Sequence, residues 1–302
     1  MKKSLLAALL ATALLGATSL QVAAQTKAAA PLAAPAAAPA CANPNAIGVS
    51  RVVEIDTTSG PGFGFEHFNT HDFLQTGEVV LTFDDGPWPK NTQAVLDALA
   101  AHCTKATFFP IGKHALYHPE ILKEVAKRGH TIGSHTWAHL DLSKQTPAVA
   151  KDEIEKGVSA VSRALQGPAA PFFRFPALKH PPEMVTYLGS RNIAVFSTDF
   201  DSFDFKIRRP EQVVQSVMTK LKKKGKGIAL MHDFQQATAK AVPDLLNQLK
   251  AGGYKIVHLT AKDKVKSLPD YDVLIQTEVK GPATLSDRPT SSVVKTIGGD
   301  GK

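Results

Sequence analysis

The 302-residue chain has two cysteines, Cys41 and Cys103, too few for a cysteine-rich zinc module or a disulfide scaffold. Apart from one run near the N-terminus, no stretch approaches the roughly 18 consecutive apolar residues that a membrane-spanning helix needs. Basic and aromatic residues do not interleave, which disfavours a nucleic-acid surface. The formal net charge is +8, an excess that would favour approach to anionic envelope polymers. Part of that excess has a plainer explanation. Lys222, Lys223, Lys224 and Lys226 end a predicted helix, where cations suit the helix dipole and stay solvated.

What is present begins at the N-terminus. Lys2 and Lys3 precede an apolar run over 5–20, and Val22-Ala23-Ala24 follows as a small-residue cleavage site. That layout predicts a signal peptide over 1–24 and an exported protein, periplasmic or secreted, with no stable membrane insertion after cleavage. An uncleaved N-terminal anchor is the alternative. Loss of 1–24 removes two lysines and no acid, leaving 33 basic against 27 acidic residues, or +6. Residues 25–45 are mostly Ala and Pro and read as a semi-extended spacer. Residues 46–77, with the Gly-rich 59–64, read as an N-terminal cap or short hairpin, 78–268 as the catalytic domain, and 269–302 as a loose C-terminal extension. In an exported chain Cys41 and Cys103 can form one bridge, but sequence supplies no distance and leaves the pairing open.

Between 78 and 259 the apolar pattern keeps changing period. Short apolar runs at 78–83, 106–111, 131–134, 172–175, 193–197, 227–231 and 254–259 predict strands. Helical patterns fall between them at 91–101, 119–128, 147–165, 182–190, 210–224 and 237–251. Pro119, Pro147 and Pro210 suit first helical turns, while Gly129, Gly167, Gly225 and Gly252 follow helical runs. Seven strands alternating with six helices imply α/β architecture with a mainly parallel sheet. Ionisable residues collect at the C-terminal ends of those strands, the face where barrel enzymes carry chemistry. The preferred architecture is therefore a distorted, incomplete (β/α) barrel of about seven parallel strands.

Each polar cluster is ambiguous when taken singly. Asp84-Asp85-Gly86-Pro87 has the composition of a turn. His135-Thr136-Trp137-Ala138-His139 puts two imidazoles four apart, on one face if the segment is helical. That spacing suits one metal ion, and equally suits two surface histidines. Arg174-Phe175-Pro176 can be a surface arginine, and Leu230-Met231-His232-Asp233 a strand end with a satisfied histidine.

Taken together, Thr82-Phe83-Asp84-Asp85-Gly86, His135-x-x-x-His139, Arg174-Phe175-Pro176, Asp201-x-x-Asp204 and Leu230-Met231-His232 resemble the five motifs of the polysaccharide deacetylases. This is carbohydrate esterase family four, with the nodulation-type homology domain. The resemblance implies a distorted β/α barrel and one divalent metal, expected to be zinc, on Asp85, His135 and His139. It implies Asp84 as general base, His232 as general acid, Arg174 holding Asp84, Asp204 pairing with His232, and Leu230 beside the acetyl methyl. Two positions depart from the family pattern. Ala177 stands where tyrosine is frequent and retains only the backbone N–H, and Phe205 replaces a tryptophan, losing the indole N–H. The implied reaction is metal-dependent removal of N-acetyl groups from N-acetylglucosamine in chitooligosaccharide or peptidoglycan, with acetate released. An O-acetyl xylan esterase and a catalytically weak sugar-binding protein are the competing readings. The sequence leaves the glycan and the oligomeric state open.

Overall fold

The computed structural model describes residues 41–278. The predicted leader, most of the predicted spacer and the tail after 278 lie outside the described residues. The strands are β1 (Arg51–Ile55), β2 (Gly62–Phe63), β3 (Glu78–Asp84), β4 (Thr107–Phe109), β5 (Thr131–Ile132), β6 (Phe172–Phe173), β7 (Ala194–Phe196), β8 (Phe200–Asp201), β9 (Gly227–His232) and β10 (Lys255–Ala261). The helices are α1 (Asn91–Ala101), α2 (Gly112–Tyr117), α3 (Pro119–Lys127), α4 (Pro147–Leu165), α5 (Pro182–Ser190), α6 (Pro210–Lys224), α7 (Gln236–Ala251) and α8 (Pro269–Glu278).

Every ladder among the described residues is parallel. Pairing runs β8-β9-β3-β4-β5, and a single bridge between Ser134 and Phe173 leads on to β6-β7-β2. No ladder among the described residues joins β7 to β8, so the ring stays open. The expected incomplete barrel is therefore an α/β fold with a parallel sheet and no closed barrel. Prolines open α3, α4, α5 and α6, where a missing N–H costs nothing, and Gly225 ends α6 at φ 80°.

Strand alternation decides which side chains reach the interior. On β3, Val79, Leu81 and Phe83 pack in the large core beneath the helices, while Val80 packs in the inner cluster with Phe109, Phe172 and Phe196. Thr82 and Asp84 share the parity of Val80 and so face inward. The register matches Val80 with Ile228, Thr82 with Leu230 and Asp84 with His232, which aims both polar termini at one place. On β6 and beyond, Phe172 is inner, Phe173 outer, and Arg174 inner again. Each fully buried Leu or Phe contributes about 1.5–3 kcal/mol, so the apolar residues that set this parity resist a one-residue slip.

Two expectations about the flanks need correction. Residues 46–77 are not a hairpin: β1 pairs in parallel with β10, and β2 with β7. Alternating Arg51-Val52-Val53-Glu54-Ile55 is half-buried edge-strand sequence, and its partner lies at the far end of the chain, beyond any local pattern. At the C-terminal flank, Pro269–Glu278 forms α8, and Ile275 on it is fully buried beside Trp137 and Ala160. The structure also contains β8 and α2, both too short to leave a periodic signature.

Cys41 and Cys103 are bridged, with Cα atoms 5.8 Å apart. Asn43 Nδ2 donates to Ala101 O and Gly48 N–H to His102 O, fastening the same segment to the end of α1. With a sequence separation of 62, loop-closure entropy assigns the bridge about 4 kcal/mol. Cys103→Ser is expected to lower unfolding free energy by up to that amount in a denaturant titration of the oxidised protein. A change below about 0.5 kcal/mol would show that the bridge does not constrain the unfolded chain.

Candidate active site

Asp84 ends β3 with its carboxylate enclosed. Arg174, fully buried, donates from one terminal nitrogen to Asp84 Oδ1 (2.7 Å) and Thr82 Oγ1 (2.7 Å), and from the other to Ser197 O (2.9 Å). Its Nε donates to Phe196 O at 3.2 Å, and its guanidinium lies 4.4 Å from the centre of the Phe109 ring. Four hydrogen bonds and a ring face hold the cation against Asp84. Burial pushes the Asp84 carboxyl up to about 6, against the downward pull of Arg174 and His232 and with the help of Asp85.

The next residue turns the chain. Asp85 adopts φ 72°, a left-handed conformation that Asp tolerates better than most residues. Its N–H donates to Phe109 O, and its carbonyl accepts from His114 Nδ1 at 2.7 Å. Gly86 N–H donates to Asp233 Oδ1 at 3.0 Å, and a Cβ on Gly86 would lie 2.2 Å from Asp233 Oδ2, so only glycine fits. Thr92 Oγ1 holds the other oxygen of Asp233.

His135 and His139 lie in an irregular loop, not in a helix. Sequence spacing suggested one helical face; the structure brings the rings together through left-handed residues at Thr136 (φ 66°) and His139 (φ 59°). The loop replaces its missing helical bonds with tertiary ones. Gly112 and Lys113 donate to the carbonyls of Thr136 and Trp137, Trp137 N–H donates to Glu153 O, and Ala138 N–H to Glu153 Oε2. At Gly157, α4 approaches so closely that a Cβ would lie 2.6 Å from the carbonyl carbon of Thr136.

His135 Nε2 and His139 Nε2 stand 3.4 and 3.5 Å from Asp85 Oδ1. His135 Nδ1 is 2.7 Å from Arg174 O, which only accepts, so the proton sits on Nδ1 and the Nε2 lone pair faces Asp85. Burial, reinforced by nearby His139, lowers His135 to about 3, so it is neutral at ordinary pH; burial lowers His139 too. Asp85 is held below the usual carboxylate range: burial acts upward but is outweighed by His139, His232, His135 and His114. Asp85 Oδ1 is buried with no hydrogen-bond partner among the described residues. A buried carboxylate oxygen between two imidazole lone pairs is unfavourable unless a cation joins them. Tetrahedral donors about 2.0–2.2 Å from one ion lie about 3.4 Å apart, so the observed spacings fit a divalent metal.

Across the cleft, His232 Nδ1 donates to Asp204 Oδ1 at 2.6 Å, and His232 N–H to Asp204 Oδ2 at 2.8 Å. Thr238 Oγ1 also donates to Asp204 Oδ2. Burial alone would lower the imidazole, but Asp204, then Asp85 and Asp84, hold it up to about 10. Asp204 is itself held below the usual range, where His232 and three hydrogen bonds overcome burial.

Asp84, Asp85, His135, His139, Ala177, Phe205, Leu230 and His232 line one cleft of about 210 Å³. Arg174 and Asp204 stand behind its wall at 0% exposure. Sequence reasoning passed over Phe203 and Phe234, which also line the cleft, and Asp233, His114 and Glu153, which hold its loops. Asp233 was adjacent to a recognised histidine and could have been found. His114 and Glu153 act through backbone atoms and leave no spacing signature.

A family model described as polysaccharide deacetylase matches residues 74–195. A peptidoglycan-N-acetylglucosamine deacetylase of Listeria monocytogenes is 32% identical over 185 residues, covering 59% of this chain and 37% of that protein. The chain thus spans just over a third of that relative's length. A chitooligosaccharide deacetylase of Bradyrhizobium is 32% identical, covering 55% of this chain and 74% of its own length. Among solved structures, a peptidoglycan deacetylase of Bdellovibrio bacteriovorus superposes with a TM-score of 0.64 at 31% identity, covering 82% of this chain and 63% of that one. The motifs read from the sequence lie on a fold shared with these proteins, and the match to the rhizobial enzyme extends over most of its length: the chain belongs to the polysaccharide deacetylase family.

Proposed function

We propose that this chain is a metal-dependent hydrolase that removes N-acetyl groups from N-acetylglucosamine units of a polysaccharide or oligosaccharide, peptidoglycan or chitooligosaccharide, and releases acetate. The observation that carries the reading is the unpartnered Asp85 Oδ1 between two imidazole nitrogens, flanked by a carboxylate and an imidazole with shifted pKa values. Asp85, His135 and His139 would hold the metal, for which zinc is the proposed identity. When bound, the metal supplies Lewis acidity toward the acetamide carbonyl and lowers the pKa of water in its coordination sphere.

The chain's own residues do the remaining work. Asp84, pinned by Arg174, accepts the proton of the attacking water. His232, kept protonated by Asp204, delivers a proton to the departing sugar nitrogen; without it the amine would be a poor leaving group. Leu230, Phe205 and Phe234 enclose a small apolar space suited to an acetyl methyl. Ala177, at φ 52°, lines the same cleft without a tyrosine ring, leaving the sugar side of the wall open. The Cys41–Cys103 bridge supports export to an oxidising compartment, in keeping with the leader proposed over 1–24.

Acetate release from N-acetylglucosamine oligomers, peptidoglycan and acetylated xylan, with zinc present, tests the reaction. Release from xylan alone would replace it with the esterase reading, and release from none would end it. Asp84→Asn is expected to cut turnover by about 10²–10⁴-fold on any acyl substrate while zinc still binds. His232→Ala is expected to harm an amide substrate far more than an activated aryl ester, whose leaving group departs without a proton. Equal losses would remove His232 from the acid role. Zinc at about 100 times its Kd is expected to stabilise the apo protein by about 2.7 kcal/mol in thermal melts, an effect Asp85→Ala abolishes. Gly157→Ala, which drives a methyl into Thr136, is expected to weaken zinc binding in the same assay although it touches no ligand.

A further inference from the structure

We propose that Phe203 is a stacking platform for the sugar ring adjacent to the one being deacetylated, so that the cleft is built for an oligomer and not for a single sugar. The proposal rests on the function proposed above and gives a specificity role to a residue at an unspecified position of the Asp201-x-x-Asp204 motif.

Phe203 is 44% exposed, one of the few large apolar side chains among the described residues left open to solvent, and it lines the cleft. It also has φ 54° and ψ 28°, a left-handed conformation that costs an aromatic residue about 1–2 kcal/mol. A solvated, strained phenylalanine is doubly unfavourable for folding, and glycine or asparagine would suit the turn better. Strained residues of this kind cluster at ligand-binding and active sites.

The surroundings hold the ring in place and leave part of it open to solvent. Phe203 N–H donates to Asp201 Oδ1 at 2.8 Å, and its carbonyl accepts from Lys206 N–H at 3.0 Å. Lys220 Nζ donates to Asp201 O at 2.7 Å and lies over the Phe203 ring, 4.3 Å from its centre, and Lys206 Nζ lies over the same ring at 5.1 Å. The Phe203 ring stands edge-on to Phe205 at 6.0 Å, and Phe205 stands edge-on to His232 at 5.5 Å. The row leads outward from the imidazole to the mouth, where the next sugar of a chain would lie. A gluco-configured pyranose carries its hydroxyls equatorially and presents axial C–H groups from its faces. Such a face suits an aromatic ring that is already immobilised.

Calorimetric titration of the N-acetylglucosamine pentamer into zinc-loaded wild type, Phe203→Ala, Phe203→Leu and Phe203→Trp tests this, with acetate release followed in parallel. Affinity is expected to fall about tenfold in the Ala and Leu variants and to be retained in the Trp variant, the size of one aromatic stacking contact. The preference for pentamer over monomer in kcat/KM is expected to shrink by a similar factor in the first two. Equal affinity in all four proteins, or no binding by the wild type, overturns the proposal. Binding that weakens as expected while the wild type releases no acetate would support the platform and count against the reaction. A second signature is independent of sugar: Phe203→Gly is expected to raise the melting temperature while weakening pentamer binding. A fall in melting temperature would place Phe203 in the structural core of the loop and overturn the platform.

Discussion

Three carboxylates, those of Asp84, Asp85 and Asp204, lie at 0–2% exposure around one cleft, and the residues nearby are arranged to offset their charge. One guanidinium and one imidazolium stand against three anions, which leaves a negative charge beside two neutral imidazoles. A divalent cation would complete that set, and Asp85 Oδ1, buried without a hydrogen-bond partner among the described residues, lies where one fits. Burial makes the arrangement costly to disturb, because removing one partner of a buried pair typically costs about 3–5 kcal/mol.

The same burial separates two neighbouring groups by function. Asp84 is raised and His232 is raised far more, so a base that must be ionised and an acid that must be protonated coexist near neutral pH. Their partners do not compete: Arg174 is held by β3 and the 196–197 carbonyls, and Asp204 by the His232 backbone and Thr238. Each reactive side chain thus has a dedicated support from a different strand end.

Legibility in the sequence followed physical range. The apolar runs that became β3 and β9 could be read because both strands are buried almost throughout, and they placed Asp84 and His232 at strand ends. The spacing of His135 and His139 was informative although the segment is not helical, since a loop with two left-handed residues achieves the same convergence. The residues that hold the loops were invisible, unlike Arg174 and Asp204. Glu153 and His114 act on backbone atoms far away in sequence, and Gly157 matters because of an approach by α4 that no local pattern encodes. The first strand was missed for a related reason, since its partner lies about two hundred residues downstream.

That pairing of β1 with β10 bears on when the domain can assemble. Arg51 is matched with Val257 and Ile55 with Ala261, so the first strand among the described residues has no partner until nearly the whole domain has been synthesised. Parallel pairing over such a separation also closes slowly, because loop entropy must be spent before the contacts form. The sheet edge that β10 offers to β1 is therefore completed late, after the strands between them have been made.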